Sequence, residues 1–111
     1  MPASNLLKLT RKEIAALRAA SDDSIALYRR GLGRVESRPD VLGGEPVFKG
    51  TRLSVRHIGG MILAGVPKSE IRADYPQLSL DDIAFAALFA GFKPLPGRSG
   101  RRLRLVRADA G

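Results

Sequence analysis

A chain of 111 residues has room for one domain, or one small domain with arms, around a modest core. It contains no cysteine, which excludes disulfides and thiolate metal sites and makes the cytoplasm the expected compartment. Its net charge of +8 is unevenly spread: residues 1–33 carry six Lys/Arg against three Asp/Glu, residues 34–92 seven against seven, and residues 93–111 six against one.

A neutral centre between basic arms points to a polyanionic partner, either nucleic acid or an acidic protein surface. The competing reading is a solubilising tail. Residues 1–5 are polar and no apolar stretch follows a basic one, so no secretory leader is expected. The most apolar run, residues 58–66, is too short to span a bilayer and contains three glycines.

Thr10 and Glu13 have the spacing of a capping box, and Ile14 and Leu17 follow at helical spacing to an end near Ala19 or Ala20. Ser21 is a second N-cap, with Asp22 and Asp23 where the helix dipole favours acids. That helix carries Ile25, Leu27 and Tyr28, then Arg29 and Arg30, and Gly31 is its expected stop. The pair reads as an αα-hairpin packed on the core rather than a DNA reader, because acids open its second helix.

Residues 34–53 read as extended. The Val35 region pairs with the Val47 region in a small antiparallel hairpin, and Gly43, Gly44 and Pro46 shape the connection. Ser54 caps a helix over 55–64, with Ile58, Met61 and Ile62 as its buried stripe and Gly65 as its stop. Gly59 and Gly60 inside this helix cost about 1 kcal/mol each relative to alanine, which predicts close approach by a neighbouring backbone. Pro67 starts a helix anchored by Ile71, and Pro76 ends it. Ser79 and Asp82 form a second capping-box pattern for a helix over 80–92. From Lys93 onward the chain is a Pro/Gly/Arg arm, with residues 102–107 alternating as an edge strand could. The expected fold is mainly α: a helix-turn-helix-like three-helix domain over 34–92 with a short N-terminal β-hairpin, an extra helical pair in 1–33, and a basic arm over 93–111.

No catalytic constellation is present. His57 is the one histidine, with no second histidine or cysteine to share a metal, and it reads as an ordinary helix residue. No nucleophile–base pair assembles, so the chain reads as a non-enzyme without cofactor or metal. The amides of Gly50, Thr51 and Arg52, with the helix start at Val55, could cradle one phosphate. The structural reading of that tripeptide, a turn held by Gly50 and Thr51, is favoured. The last two helices have helix-turn-helix spacing, yet the second opens on Leu80, Asp81 and Asp82. Acids there repel phosphate and cannot read guanine. Its apolar surface, with Ile83, Phe85, Leu88 and Phe89, implies burial in a core or in a homodimer interface. DNA contacts are therefore expected from Arg29, Arg30, Arg52 and Arg56 and from the arms.

The string Pro39-Asp40-Val41, Gly43-Gly44-Glu45-Pro46-Val47, Lys49-Gly50-Thr51-Arg52, then Val55, Gly65, Ile71, Asp74-Tyr75-Pro76, Leu78, Asp82-Ile83 and Ala86-Ala87 resembles family 433 of the domains of unknown function, over about residues 35–90. Pro67 departs from it, standing where the family more often has a Ser/Thr cap. The resemblance implies a helix-turn-helix-like fold with a short hairpin. It also implies an antitoxin of a type II toxin–antitoxin pair that neutralises a PIN-like ribonuclease toxin and represses the shared operator. A PIN-like active site clusters acids around metal, and arginines pair with carboxylates through two parallel hydrogen bonds. On that basis Arg98, Arg101, Arg102 and Arg104 are expected to contact the toxin, with Leu95, Leu103 and Leu105 as apolar anchors. The alternative is a stand-alone helix-turn-helix transcriptional regulator.

Overall fold

A computed structural model describes residues 7–95. Among these the chain is mainly helical, with one short two-stranded antiparallel sheet. It divides into two compact units at Val55 and Arg56, each described in turn.

The first unit opens with α1 (Arg11–Ala20). Its capping box forms as expected: the Glu13 amide donates to Thr10 Oγ1 and the Thr10 amide to Glu13 Oε1, both at 3.1 Å. Ser21 serves two helices. Its amide donates to the Leu17 carbonyl at 3.0 Å, ending α1, and its hydroxyl accepts from the Ser24 amide at 3.2 Å, starting α2 (Asp22–Leu32). One extended residue thus folds α2 back onto α1. Leu17 and Tyr28 are fully buried. Burial, reinforced by the negative charge of Glu13, pushes the Tyr28 phenol well above the ordinary tyrosine range.

The expected stop at Gly31 is corrected. Gly31 is helical and buried, and the cap is Gly33. Gly33 keeps a right-handed φ of −67°, and its amide donates to the Arg29 carbonyl at 3.3 Å while the Arg34 amide reaches Gly31 at 2.9 Å. No left-handed residue is needed, so a sequence rule keyed to left-handed glycine stops too early.

The chain passes directly into β1 (Val35–Glu36), which pairs with β2 (Val47–Phe48) in the register Val35 to Phe48 and Glu36 to Val47. Val35, Val47 and Phe48 are buried, and core packing is what sustains so short a ladder. The connection contains a 3₁₀ turn (Leu42–Gly44), with positive φ at Leu42 (49°), Gly43 (65°) and Gly44 (92°). The Ser37 hydroxyl donates to the Gly44 carbonyl, and the Ser54 hydroxyl donates to Glu45 Oε2 at 3.0 Å. The first bond closes the connection across itself, and the second ties it to Ser54, the residue bridged to Val47.

The helix α3 (Val55–Leu63) begins at the boundary. It ends as expected at Gly65, whose φ is +100°: the Gly65 amide reaches Ile62 and the Val66 amide reaches Met61, both at 2.9 Å. This is the Schellman pattern. Pro67 is the N-cap of α4 (Lys68–Asp74) rather than its first helical residue, and the Tyr75 amide closes the helix on Ile71 at 2.8 Å before Pro76. In the second capping box the Asp82 amide donates to Ser79 Oγ and the Ser79 amide to Asp82 Oδ2, both at 3.0 Å, opening α5 (Leu80–Phe92).

The close approach expected at the double glycine is found at Gly59. A Cβ there would lie 2.0 Å from the Ala86 carbonyl oxygen and 2.7 Å from Ala90 Cβ. Ile83, Phe85, Ala86 and Phe89 on α5 are fully buried, and the rings of Phe85 and Phe89 stack tilted at 5.6 Å. The apolar character of this helix is thus consumed largely within the chain's own core, and Leu80 is its large exposed apolar residue.

A candidate nucleic-acid interface

The most constrained surface feature is the loop joining β2 to α3. The Phe48 amide donates to the Leu53 carbonyl at 3.1 Å and Val47 bridges Ser54, so the chain reverses within the four residues 49–52. The Thr51 amide donates to the Phe48 carbonyl at 3.0 Å, closing a β-turn with Gly50 at its third position and φ +75°. That is the backbone a type II turn requires, and it favours glycine. The Thr51 hydroxyl donates to the same Phe48 carbonyl at 2.7 Å and accepts from the Leu53 amide at 3.0 Å. Thr51 is the internal brace of the tip, while Lys49 and Arg52 stand on it exposed.

The phosphate cradle considered for Gly50, Thr51 and Arg52 is corrected. The Gly50 amide donates to Glu36 Oε2 at 3.1 Å, the Thr51 amide to Phe48, and the Val55 amide to Pro46 at 3.0 Å. These three donors have protein acceptors, and the acceptor at Gly50 is itself an anion. What the tip offers an anion is therefore chiefly the side chains of Lys49 and Arg52, both exposed.

Of the arginines expected to contact DNA, Arg29 and Arg30 lie exposed in the last turn of α2, and Arg52 lies exposed on the tip. All three belong to the first unit. Arg56 belongs to the second and is half-buried: its Nη1 donates to the carbonyls of Lys93 at 3.3 Å and Pro94 at 3.1 Å. It therefore binds the C-terminal end of α5 and the first residues beyond. Lys93 Nζ lies 5.7 Å from the centre of the Phe89 ring, within cation–π range. Leu95 is half-buried at the root of the arm, whereas Arg98, Arg101, Arg102, Leu103, Arg104 and Leu105 lie outside the described residues.

Two cations escaped the sequence reading. The register that pairs Val35 with Phe48 sets Arg34 directly opposite Lys49, and the Lys49 amide donates to the Arg34 carbonyl at 2.8 Å. Both residues are exposed. The alternation of residues 34–36 was legible, but the pairing requires the register. Among the described residues no group of three or more His, Asp or Glu could hold a metal ion, and no helix is long and apolar enough to cross a membrane. His57 is exposed on α3, Asp82 is committed to its capping box, and Asp81 is exposed in the same first turn.

Residues 35–90 match the family described as "Protein of unknown function (DUF433)". The chain is 36% identical over 84 residues to the uncharacterized protein y4eO of Sinorhizobium fredii (strain NBRC 101917 / NGR234), covering 74% of this chain and 37% of that relative. It thus spans little more than a third of the relative's length. It is also similar in fold to the crystal structure of a DUF433 member protein from Anabaena variabilis ATCC 29413. The TM-score is 0.52 at 22% identity, over 86% of this chain and 99% of that one.

Proposed function

The chain belongs to the DUF433 family, and we propose that it is the antitoxin of a type II toxin–antitoxin pair: it neutralises a PIN-like ribonuclease by direct binding and represses their shared operon through DNA. The observation that carries this reading is the charge layout, with six Lys/Arg against one acid in residues 93–111 beside a neutral centre. Such an arm suits a nuclease pocket lined by metal-binding carboxylates. Arg98, Arg101, Arg102 and Arg104 pair with those carboxylates in place of the metal, while Leu95, Leu103 and Leu105 anchor the arm. Arg56, bonded to the carbonyls where the arm departs, orients its root.

In this reading α4, the turn at residues 75–79 and α5 make a helix-turn-helix-like unit that does not read bases. Asp81 and Asp82 in the first turn of α5 repel phosphate, and the DNA contacts come from Arg29, Arg30 and Arg52. A homodimer forms along the outward face of α5, at Leu80, Ala84, Ala87 and Leu88. The protein requires no cofactor and works in the cytoplasm.

Co-expression with the product of the adjacent reading frame, co-purification, and a ribonuclease assay on the recovered complex test this. A stable complex with the nuclease silenced supports it. A chain ending at Pro94 that silences the nuclease equally well overturns the assignment to the arm. If no neighbouring product co-purifies and the chain alone binds its own upstream DNA, the protein is a stand-alone regulator instead.

A further inference from the structure

We propose that the hairpin end formed by Arg34, Lys49 and Arg52 is a phosphate-contacting surface for double-stranded nucleic acid. The proposal rests on the DNA-binding half of the function above and names the surface that does the work. Like charges opposite one another across two strands repel, and Arg34 and Lys49 stand opposite one residue beyond the Val35–Phe48 pair, joined by the Lys49 amide. Lys49 occupies the second position of the turn and Arg52 follows it, so the tip adds a third cation. Residues 29–38 and 47–53 together hold six Lys/Arg and one acid, Glu36. That acid is engaged with the Gly50 amide at 3.1 Å and lies 3.7 Å from Arg38 Nε. Its carboxylate therefore serves to shape the turn as well as to offset charge.

Two features select nucleic acid over an acidic protein. Among the described residues of the first unit the large exposed apolar residue is Leu42, which lies in the connection and not on the hairpin end. Protein interfaces take their affinity from a buried apolar or aromatic centre, whereas phosphate contacts need only positioned cations that release counterions. The tip is also ordered in advance. Thr51 makes three hydrogen bonds inside it, through its amide and its hydroxyl, and Gly50 relieves its backbone. Holding Lys49 and Arg52 at a fixed spacing costs no loop ordering when the phosphates arrive. This surface contacts the duplex along its backbone, so its contribution to binding is nearly independent of sequence and steeply dependent on salt.

The test is a fluorescence-anisotropy titration of the full chain against a labelled 30-base-pair duplex at about 50 to 200 mM salt. It compares the wild type with Arg34→Gln/Lys49→Gln/Arg52→Gln and with an exposed cation outside the hairpin, Lys68→Gln. Circular dichroism melting establishes that all three fold equally. The triple variant should bind at least tenfold more weakly at about 100 mM salt, and its log–log salt slope should fall by about one per cation removed. Lys68→Gln should match the wild type. A triple variant with wild-type affinity and slope overturns this surface while leaving DNA binding standing. A wild type that does not bind the duplex even at 50 mM salt overturns both. Retained duplex binding with loss of the co-purified protein assigns the surface to that protein, and the proposal falls.

Discussion

Replacing Gly59 by alanine is the sharpest perturbation of the packing that carries α5. Taken alone, the helix should gain about 1 kcal/mol, because alanine is the better helix former. The structure reverses that sign. The new methyl would stand 2.0 Å from the Ala86 carbonyl oxygen, 2.6 Å from the Ala86 carbonyl carbon and 2.7 Å from Ala90 Cβ. Contacts between non-bonded heavy atoms are comfortable at roughly 3.5–4.0 Å, so α3 and α5 must separate by more than about 1 Å. A gap of 0.5–1 Å already forfeits about a quarter to a half of the dispersion along an interface. Ile58 on α3 and Ile83, Phe85, Ala86 and Phe89 on α5 are essentially fully buried and depend on such contacts. Overpacking a core costs about 1–3 kcal/mol, and here the obstacle is backbone that cannot change rotamer. At the top of that range and less the helix gain, the net expectation is a loss of about 2 kcal/mol, against roughly 5–15 kcal/mol for a whole domain. Thermal unfolding followed at 222 nm should show a Tm lower by about 8–16 °C. Gly91→Ala is the control: a Cβ there meets nothing within 4 Å, so Tm should hold or rise slightly. A Gly59→Ala protein as stable as the wild type would refute the close approach of the two helices.

Three further outcomes follow from individual residues. Tyr28 holds its proton more tightly folded than unfolded, because burial and Glu13 raise its pKa; the native state then binds more protons above the ordinary tyrosine pKa of about 10, and stability should fall with rising pH there by up to about 1.4 kcal/mol per unit. Urea midpoints at about pH 8 and 11 should show that extra alkaline loss in the wild type and not in Tyr28→Phe. Thr51→Val removes the hydroxyl's bonds to Phe48 and Leu53; it should cost about 1–2 kcal/mol in a urea titration, and Thr51→Ser should recover most of it. Leu42 is exposed with φ +49°; a non-glycine residue there costs about 1–2 kcal/mol and asparagine tolerates it better, so Leu42→Asn should leave the urea midpoint unchanged or raise it.

The local signals written in sequence were read with little loss. Thr10 with Glu13 and Ser79 with Asp82 close their capping boxes, Ser21 caps α2, and Gly65 ends α3. Each involves partners within about four residues, so short-range hydrogen bonding fixes it wherever the chain goes next. The region of the hairpin and the need for a close neighbour at the double glycine were legible for the same reason. Where a local rule offered two glycines, as at Gly31 and Gly33, it chose wrongly: Gly31 is helical and buried, and α2 runs on to Leu32.

Contacts between residues distant in sequence were decided by the tertiary structure. That Gly59 meets Ala86, that Arg56 reaches the carbonyls of Lys93 and Pro94, and that Glu36 takes the Gly50 amide depend on how elements dock. The last of these engages one amide of the backbone phosphate cradle that Gly50, Thr51 and Arg52 had offered on paper. The same docking set the strand register and placed Arg34 opposite Lys49. By itself the sequence determined the charge of the molecule, the capped ends of its helices and its membership of a family. Which of those charges face one another across the hairpin depended on the register, and a shift of one residue in a strand moves every side chain to the other face.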